Sequence, residues 1–201
     1  AKDRSNEGQF SRRTANNTWL ARGKALPYTG PMNKAFLLIA SLFLSLNLSA
    51  VEPTLENSKV REALNAMQGK PAPALQLYGW MNSKALELKK LKGKIIVLDF
   101  WATWCGPCIA SIPHTNEMMN KYADKDVVFI GVCAQRGAEK MEGTAKDKGI
   151  KYPIAVDQGA ITAYKANSYP DYYIIDRKGI LRWADIANRD VEKAIEHLLA
   201  E

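Results

Sequence analysis

The chain has 201 residues, 47% of them hydrophobic and 24% charged, with three cysteines. This is globular composition, and it excludes collagen-like, coiled-coil and wholly disordered chains. Three cysteines cannot staple a small scaffold, so the fold must rest on a hydrophobic core of the size that one domain of about 100–200 residues buries. The net charge of +7 would suit a nucleic-acid binder, but residues 1–31 hold six basic and two acidic side chains while residues 51–201 hold 21 basic and 19 acidic ones. The excess is N-terminal and the body is nearly neutral. Its one basic run, KKLKGK at 89–94, reads as a solvated turn, and no nucleic-acid partner is expected.

Residues 1–31 are polar and lack a sustained apolar period, so they read as an unstructured or untranslated upstream stretch. Met32-Asn33-Lys34, the apolar run Ala35 to Leu48 and the small pair Ser49-Ala50 follow the order of a signal peptide. Translation is expected to begin at Met32, the segment 32–50 to be cleaved, and the mature chain to begin at Val51 in the periplasm or cell envelope. An apolar run of 14 residues is shorter than the roughly 20 that cross a bilayer as a helix. A membrane is therefore a partner only if the 35–48 segment stays uncleaved as an anchor.

From Glu52 to Gln68, Leu55, Val60, Ala63, Leu64 and Met67 stand at roughly helical spacing, which predicts an N-terminal helical extension over 51–69. Gly69-Lys70-Pro71-Ala72-Pro73 ends it, and one domain is expected over 70–201. A strand is expected at 74–78, a turn at 79–83 and a second short strand at 85–88. KIIVLDFWA at 94–102 is a nearly continuous apolar run rich in β-branched and aromatic residues, the pattern of a strand covered on both faces. A helix follows from about Cys105 to Tyr122, interrupted by Pro113, then a strand at 126–133, a helix at 138–148, a strand at 152–156 and a short helix at 159–166. Strands at 171–176 and 180–184, joined by the 177–179 turn, precede a closing helix at 190–200. This order predicts an α/β fold with a mixed central β-sheet and helices on both faces.

Trp104-Cys105-Gly106-Pro107-Cys108 stands where the buried strand meets the long helix. Thiols at i and i+3 on a first helical turn share a face about 5–6 Å apart, which suits a disulfide. Pro107 fits there because the amide it lacks would be unpaired anyway. Cys105, at the helix N-terminus, is expected to be the exposed, acidified nucleophile, and Cys108 the shielded resolving thiol. Zinc is the competing use of Cys-x-x-Cys, but the further ligands would have to come from Cys133, His114 and His197, which form no second close pair. No metal is expected. Cys133 ends an apolar strand and reads as a packed thiol, and His114 and His197 as ordinary helix residues. Asp99 shares a face with Ile95, Val97 and Trp101, so its carboxylate is expected to be buried, raised in pKa, and placed to exchange a proton with Cys108. Trp101 reads as core and Trp104 as substrate-facing surface.

VLDFWATWCGPC, Pro113, VVFIGV and SYPDYYIIDRKGIL together resemble the thioredoxin-like proteins, and among them the TlpA/ResA-like exported thiol–disulfide oxidoreductases. The resemblance runs from Gly69 to Glu201. It implies the thioredoxin fold, with Tyr169-Pro170 as the cis-proline loop facing the cysteines, and substrate contacts from Trp104, Gly106, Pro107, Tyr169 and Pro170. The implied enzyme is a protein-disulfide reductant that uses no cofactor, acts on protein disulfide substrates and is re-reduced by a membrane electron donor. Cytochrome c maturation and envelope redox homeostasis are the implied settings. Three residues depart from the group's usual pattern: Asp99 stands where many members carry Asn, Ser111 where many carry an acid, and Tyr169 is bulkier than usual before the proline. A thioredoxin-fold peroxidase and a metal-delivery or binding module are the rival readings, although Thr103 lies two residues before Cys105 where a peroxidatic site would want three.

Overall fold

A computed structural model describes residues 52–201; the expected signal peptide and upstream stretch lie outside the described residues. The elements in chain order are α1 (Arg61–Asn65), β1 (Leu77–Met81), β2 (Ile95–Trp101), α2 (Gly106–Lys121), β3 (Val127–Cys133), α3 (Met141–Lys148), β4 (Ile154–Asp157), α4 (Ala160–Tyr164), β5 (Asp171–Ile175), β6 (Leu181–Ile186) and α5 (Val191–Leu199). The strands form one sheet in the order β1-β4-β3-β2-β5-β6. β2 runs parallel to β3 and antiparallel to β5, and β3 runs parallel to β4.

β2 lies inside this sheet because it can: all seven of its residues are buried, and no edge position would satisfy so apolar a strand. Its alternation divides the core. Ile95, Val97 and Trp101 pack with Ile112 and Met118 of α2, Ala145 of α3 and Ile195 of α5, whereas Ile96, Leu98 and Phe100 pack with Leu64 of α1 and Tyr164 of α4. Helices thus cover both faces of a mixed sheet, as the element order predicts, in the thioredoxin fold that the resemblance implies. The closing helix buries Val191, Ala194, Ile195 and Leu198, one stripe at helical spacing.

Several expectations need correction. The predicted helix over 52–68 is helical only at Arg61–Asn65. Before it the chain is extended along the free edge of β6, where Leu55 pairs with Ile186, the Glu56 amide donates to the Asp185 carbonyl at 2.9 Å and the Ala187 amide to the Thr54 carbonyl at 2.8 Å. An uncovered strand edge recruits backbone, and that demand outweighs helical spacing here. The first strand runs over Leu77–Met81 rather than 74–78, passing through the expected turn with an irregularity in its pairing with β4 between Tyr78 and Met81, where Gly79 takes φ +61°. The segment expected as a strand at 85–88 has no strand partner; Leu86 and Leu88 instead cap the core from a loop that ends in a 3-10 turn at Leu88–Lys90. Pro113 does not interrupt α2, whose buried Cys108, Ile112, Thr115 and Met118 hold the helix through the lost amide bond.

Candidate redox site

β2 delivers the chain through Thr103 and Trp104 to the N-terminus of α2. Cys105 is the N-cap: its backbone is extended and its sulfur accepts from the Cys108 amide at 3.1 Å. Gly106 and Pro107 complete the first turn without wasting a helical bond. The Cys105 and Cys108 Cα atoms are 5.3 Å apart and the sulfurs are joined as a disulfide. Neither sulfur-bearing residue is openly exposed, which corrects the expectation for Cys105: it is 5% exposed and Cys108 2%. The difference lies in access. Cys105 lines a groove of about 460 Å³ between residues 104–107 and Asn167, Ser168 and Tyr169, and Cys108 does not.

Trp104 is 54% exposed beside this groove, yet it is fixed. Its indole N–H donates to the Arg136 carbonyl at 2.9 Å, its ring meets Tyr169 edge-on at 6.0 Å, and the Arg136 guanidinium carbon lies 5.4 Å from the ring. The Thr103 hydroxyl donates to the Gly137 carbonyl at 2.8 Å. Gly137 is required there: it takes φ +85°, and a Cβ would come within 2.6 Å of the Thr103 hydroxyl and 3.0 Å of the Trp104 ring. Tyr169 is half-buried, and the Tyr169–Pro170 bond is cis.

Asp99 is 3% exposed and faces the side of the sheet that carries Trp101, Cys108 and Ile112. Lys94 does not neutralise it, being paired with Asp126 at 2.5 Å. Burial lifts the Asp99 carboxyl to about 7, partly offset by the Tyr152 and Tyr172 hydroxyls. The Tyr152 hydroxyl donates to Oδ2 at 3.4 Å, and Oδ1 is buried without a protein partner. Tyr172, the register partner of Asp99 on β5, shares a 3.3 Å hydrogen bond with Thr115 of α2, so a cluster of polar side chains links Asp99 to the helix that bears Cys108. Gly131 opposes Asp99 on β3; a Cβ there would come within 2.8 Å of Ile154 and 3.0 Å of Tyr152.

Cys133 is fully buried and burial pushes its thiol up to about 12, the state of a packed core residue. His114 is exposed beside Glu117, and His197 packs edge-on against Trp183 at 5.5 Å; neither lines the cysteine groove. The sequence does not single out the other buried acids, Asp157, Asp171 and Asp185. Asp171, directly after Pro170, is 1% exposed; burial and then the charge of Asp185 push it up to about 8. Asp185 is itself buried and paired with Arg61 at 2.7 Å. The alternation argument that marks Asp99 would also have marked Asp171, which shares its face with the core residues Tyr173 and Ile175.

Residues 67–199 match the Redoxin family. The thiol-disulfide oxidoreductase ResA of Bacillus cereus is 33% identical over 150 residues, covering 74% of this chain and 86% of that protein. The thioredoxin-like protein YneN of Bacillus subtilis is 33% identical over 125 residues, 61% of this chain and 73% of that one. Among solved structures, the thioredoxin-like superfamily protein SPOA0173 superposes with a TM-score of 0.59 at 26% identity, over 65% of this chain and 97% of that one. A thioredoxin family thiol:disulfide interchange protein from Chlorobium tepidum reaches 0.56 at 22% identity, over 74% and 98%, which speaks to the fold alone.

Proposed function

This chain belongs to the redoxin family, as a thioredoxin-like thiol–disulfide oxidoreductase of the TlpA/ResA-like group, and from that premise we propose that it reduces disulfides of exported proteins through Cys105 and Cys108. The single observation that carries this reading is the pair itself: Cys105 at the N-cap, lining a groove, joined to Cys108 one turn inside. In the reduced enzyme the free amides and positive end of α2 favour a Cys105 thiolate. That thiolate attacks one sulfur of a substrate disulfide; a Cys105–substrate bond forms and the other substrate sulfur leaves as thiolate. Asp99, whose carboxyl titrates near neutrality, takes the proton of Cys108, and the new thiolate attacks Cys105. The second substrate sulfur leaves and is protonated, and the enzyme is left as the disulfide seen here. Trp104, Gly106, Pro107, Tyr169 and Pro170 form the banks along which an extended substrate segment lies, its backbone meeting the 169–170 loop in the manner of strand addition.

Two electrons must then come from a donor at the membrane, and the site is in the cell envelope, where proteins of cytochrome c maturation are among the fitting substrates. No helix among the described residues is long and apolar enough to cross a membrane. Insulin-disulfide reduction measured beside peroxide consumption tests the reading. Turnover of insulin with no peroxide use is expected; peroxide turnover without insulin reduction would overturn it.

A further inference from the structure

Past Tyr169 and Pro170 the dithiol groove opens into a second cleft of about 580 Å³, which shares Pro107 and residues 167–169 with the first. Its far wall is the 56–59 segment and its end is formed by Asp185 and Asn188. The N-terminal extension that covers the β6 edge therefore also builds a wall beside the cysteines. That wall is held firmly. The Arg61 guanidinium donates to the carbonyls of Ala184 at 2.8 Å and Asp185 at 3.0 Å and to the Asp185 carboxylate at 2.7 Å, and its Nε donates to the Glu56 carbonyl at 3.0 Å. Across the cleft the Asn167 amide donates to the Ser58 hydroxyl at 3.1 Å, tying the extension to the loop that carries Tyr169 and Pro170.

The chemistry of the lining is one-sided. Asn57, Ser168 and Asn188 present amides and a hydroxyl, Ser58 and Asn167 are bonded to each other, and the buried carboxylate, Asp185, already has Arg61 as its counterion. Glu56 and Lys59 are exposed and opposite in sign. Their opposite charges favour neither a net anion nor a net cation, and an apolar ligand would strip water from amides and hydroxyls without replacing the bonds. A chain with its own donors and acceptors can replace them, and the fixed wall lowers the ordering cost of doing so.

We propose that this cleft is a substrate subsite that selects an uncharged, hydrophilic, extended segment flanking the substrate's disulfide. The proposal rests on the oxidoreductase reading above and adds to it the class of polypeptide that is preferred. The test uses three peptides, each with one cysteine disulfide-linked to a chromogenic aromatic thiol and flanked by Ser-Asn-Ser, Leu-Val-Leu or Lys-Ser-Lys, beside a small aromatic disulfide without peptide. The Ser/Asn peptide is expected to be reduced about tenfold faster in kcat/KM than the other two, the worth of one or two net hydrogen bonds. Asn188→Trp, and independently Asn57→Trp, both at exposed positions, should fill the cleft and abolish that preference while the small disulfide is reduced within about twofold of the unmodified rate. Equal rates for the three flanks, a preference for the Leu or Lys peptide, or a Ser/Asn preference that survives both substitutions would overturn the subsite while leaving the oxidoreductase standing. Failure of the unmodified protein to reduce even the small disulfide would overturn the oxidoreductase reading, and the subsite with it.

Discussion

Replacing Asp99 by Asn keeps the shape of the side chain and removes its charge, which makes the cost of that charge measurable. The carboxyl is 3% exposed, and burial lifts it from 3.8 to about 7. Between these values the unfolded chain has lost the proton and the folded chain still holds it, so stability falls as pH rises through this window and levels off above about 7. At 1.36 kcal/mol per pKa unit, the shift corresponds to about 4 kcal/mol of folding free energy lost by the native protein on going from pH 4 to pH 8. Asp99→Asn does not titrate and should escape that loss. Near pH 4 it should lie within about 1 kcal/mol of the native protein, since an amide replaces a neutral carboxyl with similar hydrogen bonds; at pH 8 it should be the more stable by up to about 3 kcal/mol. Asp171 carries the same sign of dependence, so the quantity to measure is the difference between the two proteins. Urea unfolding of the oxidised forms at pH 4, 5.5, 7 and 8 supplies it. Parallel pH profiles for the two proteins would refute the assignment of a costly buried carboxylate to Asp99.

Gly131→Ala would drive a Cβ to within 2.8 Å of Ile154, 3.0 Å of Tyr152 and 3.2 Å of the Trp101 indole nitrogen inside the sheet; a loss of about 1–3 kcal/mol is expected from overpacking, read as a lower urea midpoint, and an unchanged midpoint would contradict it. Arg61→Ala strands Asp185, which is 2% exposed, and should cost about 3–5 kcal/mol, whereas Arg61→Ala with Asp185→Asn should lose clearly less. Equal losses in the single and double variants would show that the charge pair is not what holds the extension.

What the sequence made legible follows from where a local pattern and the tertiary demand agree. β2 is an apolar run that no edge could accept, and WCGPC places a helix start, its proline and two thiols within five residues, so the centre of the sheet and the cysteine pair were readable. The alternation that would mark β1 is broken by its irregular pairing, with Gly79 at φ +61°, so the pattern points three residues too early. Leu55, Val60, Leu64 and Met67 fit the period of a helix, but Leu55 pairs with Ile186 at a strand edge that only the folded sheet creates. The cleft could not be read at all. Ser58, Asn167, Asp185 and Asn188 come from three separate stretches of chain and carry no motif of their own.

The central claim, that Cys105 attacks and Cys108 resolves, is tested most directly by trapping. Cys108→Ala should accumulate a covalent, reductant-sensitive complex with a protein disulfide substrate, and peptide mapping should place the link at Cys105; Cys105→Ala should trap nothing. Equal trapping by the two variants, or a link mapped to Cys108 or Cys133, would contradict the account.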